Sequence, residues 1–338
     1  MGTDHMEGVD AGDVEGKTPL SDNVLDYALV LEGGGMRASY TAGLVNVLLE
    51  QGIHFGYACG ISAGSSHVVD YVSRDADRVR RAFVDLAGNP NCGGMGSLMR
   101  HDGYFNADYD YAGCIADGFL PFDWETFRRD PARIRIASFE RDTGRSVSWT
   151  KDDMPTQDDM VERVRASSTM PKLMVPIEID GQVMLDGGLG KGAGLPTCLA
   201  EQDGFGKMFV ITSREAGYRK QPLSHAAERM VRRMCKGYPH VLEAMLTRTD
   251  RYNAALDHLA DLERSGAAYV VRPEVMPVRN TTLSVPELQR AYEMGHSQGM
   301  RELPRWREFL FGASTAGPQP TRDRIARAVA GTDERSAS

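Results

Sequence analysis

A strand–turn–helix unit that occurs twice near the start of the chain constrains the fold most. Residues 26–32 (DYALVLE) form a short apolar run that suits a buried strand. Gly33-Gly34-Gly35 follows at once. Residues 38–50 then carry Tyr40, Leu44, Val47 and Leu48 at helical spacing, up to a stop at Gln51-Gly52. A second apolar run, 56–61, leads into Ser62 and a second helix that reaches about residue 73. Strand–turn–helix twice in succession is the start of an α/β sheet with parallel strands.

The rest of the chain extends this pattern. Residues 76–87 read as helical, whereas 88–123 are rich in Gly, Asn, Asp and Tyr and lack periodicity. So long an irregular stretch is often functional, and Tyr104, Phe105, Tyr109 and Tyr111 give it the character of a lid. Residues 133–139 and 145–150 alternate around an Asp142-Thr143-Gly144 turn, and 173–185 form a second hairpin closed by Asp180-Gly181. Helices are expected over 157–168 and about 195–202, with a strand at 207–212. Beyond residue 221 the texture is helical. One long helix is expected through Leu242, Leu246, Asn253 and Leu259, then a last strand at 267–272 and a final amphipathic helix at 285–310. Neither a repeat nor a clean linker is visible. The expected organisation is therefore a disordered arm at 1–23, a core at 24–213, a helical part at 214–312 packed on it, and a disordered tail at 313–338.

Composition narrows the function classes. The formal net charge of −8 over 338 residues argues against a general nucleic-acid binder, which would be basic. No apolar run is long enough for a transmembrane helix, and the acidic N-terminus lacks the apolar region of a signal peptide. Cys59, Cys92, Cys114, Cys198 and Cys235 are odd in number and widely spaced, which suits free thiols in a reducing cytoplasm. No cluster of metal ligands is visible, so neither a metal nor another cofactor is expected.

Three glycine motifs are placed to carry chemistry. Gly33-Gly34-Gly35-Met36-Arg37 sits at a strand-to-helix junction, where backbone N–H groups and a helix N-terminus can together bind an anion or a developing oxyanion. The same glycines fit a dinucleotide fingerprint, Gly33-x-Gly35-x-x-Ala38. That motif wants an acid at the end of the second strand, and none stands there; Glu50 lies at the end of the helix instead. Gly60-Ile61-Ser62-Ala63-Gly64 is a G-x-S-x-G pattern between an apolar strand and a helix, the context in which a serine hydroxyl projects clear of a sheet. Asp186-Gly187-Gly188 closes the second hairpin, and alone it is an ordinary turn.

A nucleophilic serine needs a base. His67 lies five residues after Ser62 on the same helix and so faces away from it. His5 lies in the arm, and His225, His240, His258 and His296 sit on helices far downstream. His101, in the irregular stretch, stays open as a triad histidine. Asp186 is the best candidate by placement, because Gly187 and Gly188 allow its loop to approach another backbone closely.

In this order and spacing, the three motifs resemble the patatin-like phospholipase family, across about residues 26–213. The stretch ASSTMPKLMVPIEIDGQVMLDGG ahead of the glycine pair adds to the likeness. The C-terminal helical part resembles the extension of a bacterial patatin-like subgroup. Ala38 stands where many members carry Gly, and Glu32 where Asp is common. The resemblance implies a three-layer α/β/α sandwich with a mostly parallel sheet. It also implies a lipid acyl hydrolase with Ser62 as nucleophile and Asp186 as base. The oxyanion site would be drawn from Gly33, Gly34, Gly35 and Arg37, with Arg37 holding the loop or a phosphate. The expected partner is a lipid or acyl-ester substrate, with a cytoplasmic protein meeting the membrane peripherally. Residues 214–236 hold seven Lys/Arg against two Glu, which suits anionic headgroups, although a solvated helix face is the plainer reading. Two alternatives stand beside this one: a small-ester or thioester hydrolase on the same dyad, and a non-enzymatic nucleotide- or anion-binding protein.

Overall fold

The computed structural model describes residues 19–312. The expected tail and residues 1–18 of the expected arm lie outside the described residues. Residues 19–23, expected to be disordered, are instead held against the body: the Arg74 guanidinium donates to the Ser21 carbonyl at 2.9 Å, and the Asn23 N–H donates to the His54 carbonyl at 2.9 Å.

The strands are β1 (Ala28–Leu31), β2 (Tyr57–Ile61), β3 (Arg133–Glu140), β4 (Ser146–Trp149), β5 (Ile177–Ile179), β6 (Gln182–Asp186), β7 (Met208–Ile211) and β8 (Ala268–Val271). They form one sheet in the order β5-β6-β3-β2-β1-β7-β8, with β4 also paired to β3. The β3-β2-β1-β7-β8 portion is parallel throughout, and β4, β5 and β6 add antiparallel pairs. The principal helices are α1 (Ala38–Glu50), α2 (Ala63–Val72), α3 (Ala76–Phe83), α4 (Gln157–Ser168), α5 (Thr197–Gln202), α6 (His225–Met234), α7 (Pro239–Leu246), α8 (Arg248–Arg264) and α9 (Val285–Phe311).

The layering follows from the period-2 geometry of strands. In β1, Leu29 and Leu31 join a cluster with Leu44 of α1, Val68 of α2 and Trp306 of α9. Ala28 and Val30 point the other way, into a cluster with Leu199 of α5 and Leu259 of α8. β7 divides in the same manner, with Phe209 and Ile211 against Met208 and Val210. Apolar residues on both faces require helices on both faces, and the result is a three-layer α/β/α fold with a helical C-terminal part. Among the described residues, no helix is long and apolar enough to cross a membrane.

Two expectations differ from the structure. The long helix expected through 242–259 is broken at Thr247 into α7 and α8. There the Thr247 hydroxyl takes the Glu243 carbonyl at 2.9 Å and Arg251 takes the Ala244 carbonyl at 2.6 Å, so side chains satisfy the carbonyls of the broken turn. The stretch 88–123 contains a short helix, Met95–Met99, and a π-helical turn, Asp108–Gly113, and it forms one wall of a cavity described below.

Candidate active site

Strand register places the site. On β3, Ala137 pairs with Ile61 of β2, and the next residue, Ser138, pairs with Asp186 of β6. The end of β2 and the end of β6 are thus adjacent rungs against one strand. Ser62 follows Ile61 directly, with φ 55° and ψ −131°, a positive-φ conformation that costs a non-glycine residue about 1–3 kcal/mol. The flanking glycines make this turn possible. A Cβ on Gly60 would lie 2.2 Å from the Gly64 carbonyl oxygen, and one on Gly64 would lie 2.2 Å from the Leu31 carbonyl oxygen. Both obstacles are backbone and cannot swing aside.

Ser167, at the end of α4, pins the turn. Its hydroxyl accepts from the Ser62 N–H at 3.0 Å and donates to the Ala137 carbonyl at 2.6 Å. Sequence reasoning missed this residue; the only signal was its place in the ASSTMP stretch.

Asp186 is 8% exposed and Ser62 is 7% exposed. The Asp186 N–H donates to the Thr169 carbonyl at 2.8 Å, and its carboxylate accepts from the Gly188 N–H at 2.6 Å and shares a cavity with Ser62. Burial raises its pKa above the ordinary carboxylate value, against the opposing pull of the nearby Ser62 hydroxyl, the Gly188 N–H and the Arg248 charge. A buried carboxylate of raised basicity, beside a serine on a strained turn, is equipped to take that serine's proton.

No histidine competes for this position among the described residues. His67 is fully buried, with Nε2 2.9 Å from the Thr41 hydroxyl, and burial lowers its pKa to about 3, so it stays neutral. His101 lines a separate groove with Leu98, Lys172 and Met245, and that groove does not include Ser62. His258 pairs with Glu201 and His296 with Glu50. His5 lies outside the described residues.

The glycine loop supplies fewer donors than expected. The Gly33 N–H is committed to the Gly194 carbonyl at 3.0 Å, which removes it as an oxyanion donor. Gly34 and Gly35 have no backbone acceptor for their N–H groups among the described residues, and both line the same cavity as Ser62. The Arg37 N–H closes the loop onto the Gly34 carbonyl at 3.3 Å, while its guanidinium faces the cavity.

Ser62 stands where two cavities meet. The first, of about 110 Å³, is mainly apolar, with Val69, Phe83, Phe105, Ile115, Met160 and Met174 in its walls. Asp110 also lines it; burial raises this carboxyl's pKa well above the ordinary range. The second, of about 420 Å³, contains Ser62, Asp186, Gly34 and Gly35 together with Arg37, Arg214, Lys220 and Arg248. Burial, then repulsion by Arg214, lowers the Arg37 pKa to about 10. Burial, then repulsion by Arg248, Arg214 and Arg37, lowers that of Lys220 to about 8. Arg248 also secures the aspartate loop: Nε donates to the Gly188 carbonyl at 2.9 Å and Nη2 to the Ala193 carbonyl at 3.2 Å. Sequence reasoning singled out the basic stretch that contains Arg214 and Lys220, but it did not find Arg248.

Comparison with known proteins adds the family. No curated protein matches the sequence. Among solved structures, VipD from Legionella pneumophila is similar at 13% identity, over 83% of this chain and 67% of its own, with a TM-score of 0.43. A family model described as a domain of unknown function (DUF6363) matches residues 238–311. A second family model, patatin-like phospholipase, matches residues 29–197 and so spans half of the chain, including β1, the serine turn and the aspartate loop. The chain belongs to the patatin-like phospholipase family of lipid acyl hydrolases.

Proposed function

We propose that this protein hydrolyses carboxylic esters of lipids through a Ser62–Asp186 dyad and an acyl-enzyme. The observation that carries the reading is that the buried Asp186 carboxylate and the buried Ser62 share one cavity, at the junction of an apolar and a basic cavity. Asp186 takes the proton as Ser62 Oγ attacks the ester carbonyl. The oxygen becomes an oxyanion within reach of the Gly34 and Gly35 N–H groups. Collapse of the tetrahedral intermediate expels the alcohol, which leaves with the proton from Asp186. A water then gives its proton to Asp186 and attacks the acyl-enzyme, and Ser62 regains its proton as the fatty acid departs. The apolar cavity suits the acyl chain, and its mouth at Ser62 sets the carbonyl beside the glycine loop.

A fluorophosphonate probe tests the nucleophile. Labelling is expected at Ser62, found by peptide mapping, and lost in Ser62→Ala. Asp186→Asn is expected to lower kcat by about 100-fold to 10,000-fold, the usual contribution of a positioned base, while His101→Ala keeps most activity. Labelling that survives Ser62→Ala, or a His101→Ala loss that matches Asp186→Asn, would overturn the dyad.

A further inference from the structure

We propose that the basic cavity beside Ser62 is a subsite for a phosphate monoester on the alcohol side of the scissile ester. The preferred substrate is then an acyl ester of a phosphate-bearing alcohol rather than a neutral acylglycerol or a zwitterionic lipid. The proposal rests on the Ser62 reading above, since it assigns the other half of the same substrate.

The cavity draws cations from three separate parts of the chain. Arg37 comes from the turn before α1, Arg214 and Lys220 from the loop after β7, and Arg248 from the start of α8. In a chain with net charge −8, most buried or half-buried arginines are paired, as Arg74 is with Asp130, Arg78 with Asp70 and Arg135 with Asp203. Among the described residues, none of the four cavity cations forms an ion pair with a carboxylate. Ring faces hold two of them instead. The Arg214 guanidinium lies 4.2 Å from the centroid of Tyr218, and the Lys220 ammonium 5.8 Å from that of Tyr252. A ring face positions a cation without neutralising it. The Arg37 Nε is buried and has no partner.

The charge count specifies the ligand. Two carboxylates line the cavity, and both are engaged. Glu32 accepts from the Ser213 N–H at 2.6 Å and from the Tyr252 hydroxyl, and Asp186 accepts from the Gly188 N–H at 2.6 Å. Four cations against two carboxylates leave a surplus of two positive charges. A phosphate monoester carries about −1.5 to −2 near neutral pH, which matches that surplus; a phosphodiester carries less, and a choline group adds a repelled cation. The apolar cavity on the other side of Ser62 fixes the orientation, with the acyl chain inward and the phosphate toward Arg214 and Lys220.

Kinetics and binding test this separately. Initial rates are compared for monoacylglycerol phosphate, monoacylglycerol and lysophosphatidylcholine of one chain length, below their critical micelle concentrations. The phosphate monoester is expected to show a kcat/KM about 100-fold above the neutral ester. Lys220→Met and Arg214→Gln are each expected to cut that ratio by about tenfold or more, the usual worth of a charge-assisted hydrogen bond. The Lys220 ammonium makes no hydrogen bond that the fold depends on, so Lys220→Met leaves the cavity intact. A ratio near one in the wild-type enzyme, with Ser62→Ala dead toward both substrates, overturns the subsite and leaves the dyad standing. Binding to Ser62→Ala by calorimetry does not depend on the chemistry. Hexadecyl phosphate is expected to bind at least tenfold more tightly than hexadecanol, and Lys220→Met to remove most of that difference. Equal binding of the two overturns the proposal, and so does inorganic phosphate that binds as tightly as the alkyl phosphate, because the pocket would then serve a free ion.

Discussion

At the scale of single residues, reactivity and stability pull against each other at Asp186. Burial raises its folded pKa above the ordinary carboxylate value. A group of this kind contributes stability that is fully present below its unfolded pKa and lost as pH rises through the folded pKa. At neutral pH the ionised form therefore costs stability while it supplies the base. Asp186→Asn removes the charge and keeps an acceptor for the Gly188 N–H. It is expected to raise Tm at pH 8, with the gain shrinking as pH falls toward 4; a lower Tm at pH 8 would refute the assignment of strain to the charge. The acid limb of the pH–rate profile should accordingly lie above the usual range for aspartate, about 3.9, because activity is lost as Asp186 takes a proton. Ser62 and Asp186 were legible in sequence as candidates because their motifs are local, whereas His101 stayed open until the fold placed it in a separate groove. The loss of the Gly33 N–H to Gly194, the Ser167 bridge and the approach of Arg248 were not legible. Each depends on segments brought together by the fold, and no local pattern marks such a meeting.

At the scale of elements, the parallel strands and the helices between them were legible from periodicity, and the break between α7 and α8 was not. Thr247 interrupts a continuous helical pattern, and the bonds that satisfy the break, to the Glu243 and Ala244 carbonyls, leave no mark in the apolar periodicity. The consequence is functional geometry: α8 starts at Arg248, against the aspartate loop, and Arg251 one turn later takes the Gly190 carbonyl. The crossing of α9 over α1 shows the same reliance on close approach. A Cβ on Gly295 would lie 2.0 Å from the Tyr40 carbonyl oxygen, and one on Gly43 would lie 2.3 Å from the Tyr292 carbonyl oxygen. Backbone meets backbone at both points, so an added methyl must push the helices apart. Gly295→Ala is expected to lower stability by about 1–3 kcal/mol, read as a shift in the urea midpoint at constant slope. Gly206→Ala, where an added Cβ meets nothing within 4 Å, serves as the control and should shift it little.

At the scale of the whole molecule, the question is whether residues 24–213 form a core that stands alone. The sheet argues that they do not. β8 pairs with β7 along its full length, from Met208 with Ala268 to Ile211 with Val271. Trp306 of α9 is fully buried and meets the Phe209 ring at 5.3 Å, while Tyr252 and Leu259 of α8 cover the opposite face. A chain ending at Ser213 would leave β7 as an unpaired apolar edge, the geometry that drives edge-to-edge association. It would also lose Lys220 from the basic cavity, and Arg248, whose guanidinium holds the Gly188 and Ala193 carbonyls behind Asp186. The truncated chain is expected to aggregate or to bind a hydrophobic dye, with no cooperative melt and no fluorophosphonate labelling at Ser62. Size-exclusion chromatography and a thermal melt decide it: a monomeric truncated chain that melts cooperatively and labels at the wild-type rate would show that the C-terminal helices are an appendage. The opposite outcome would make the segment after residue 213 part of the catalytic unit, supplying a strand to the sheet, the clasp on the aspartate loop and most of the positive charge that faces the leaving alcohol.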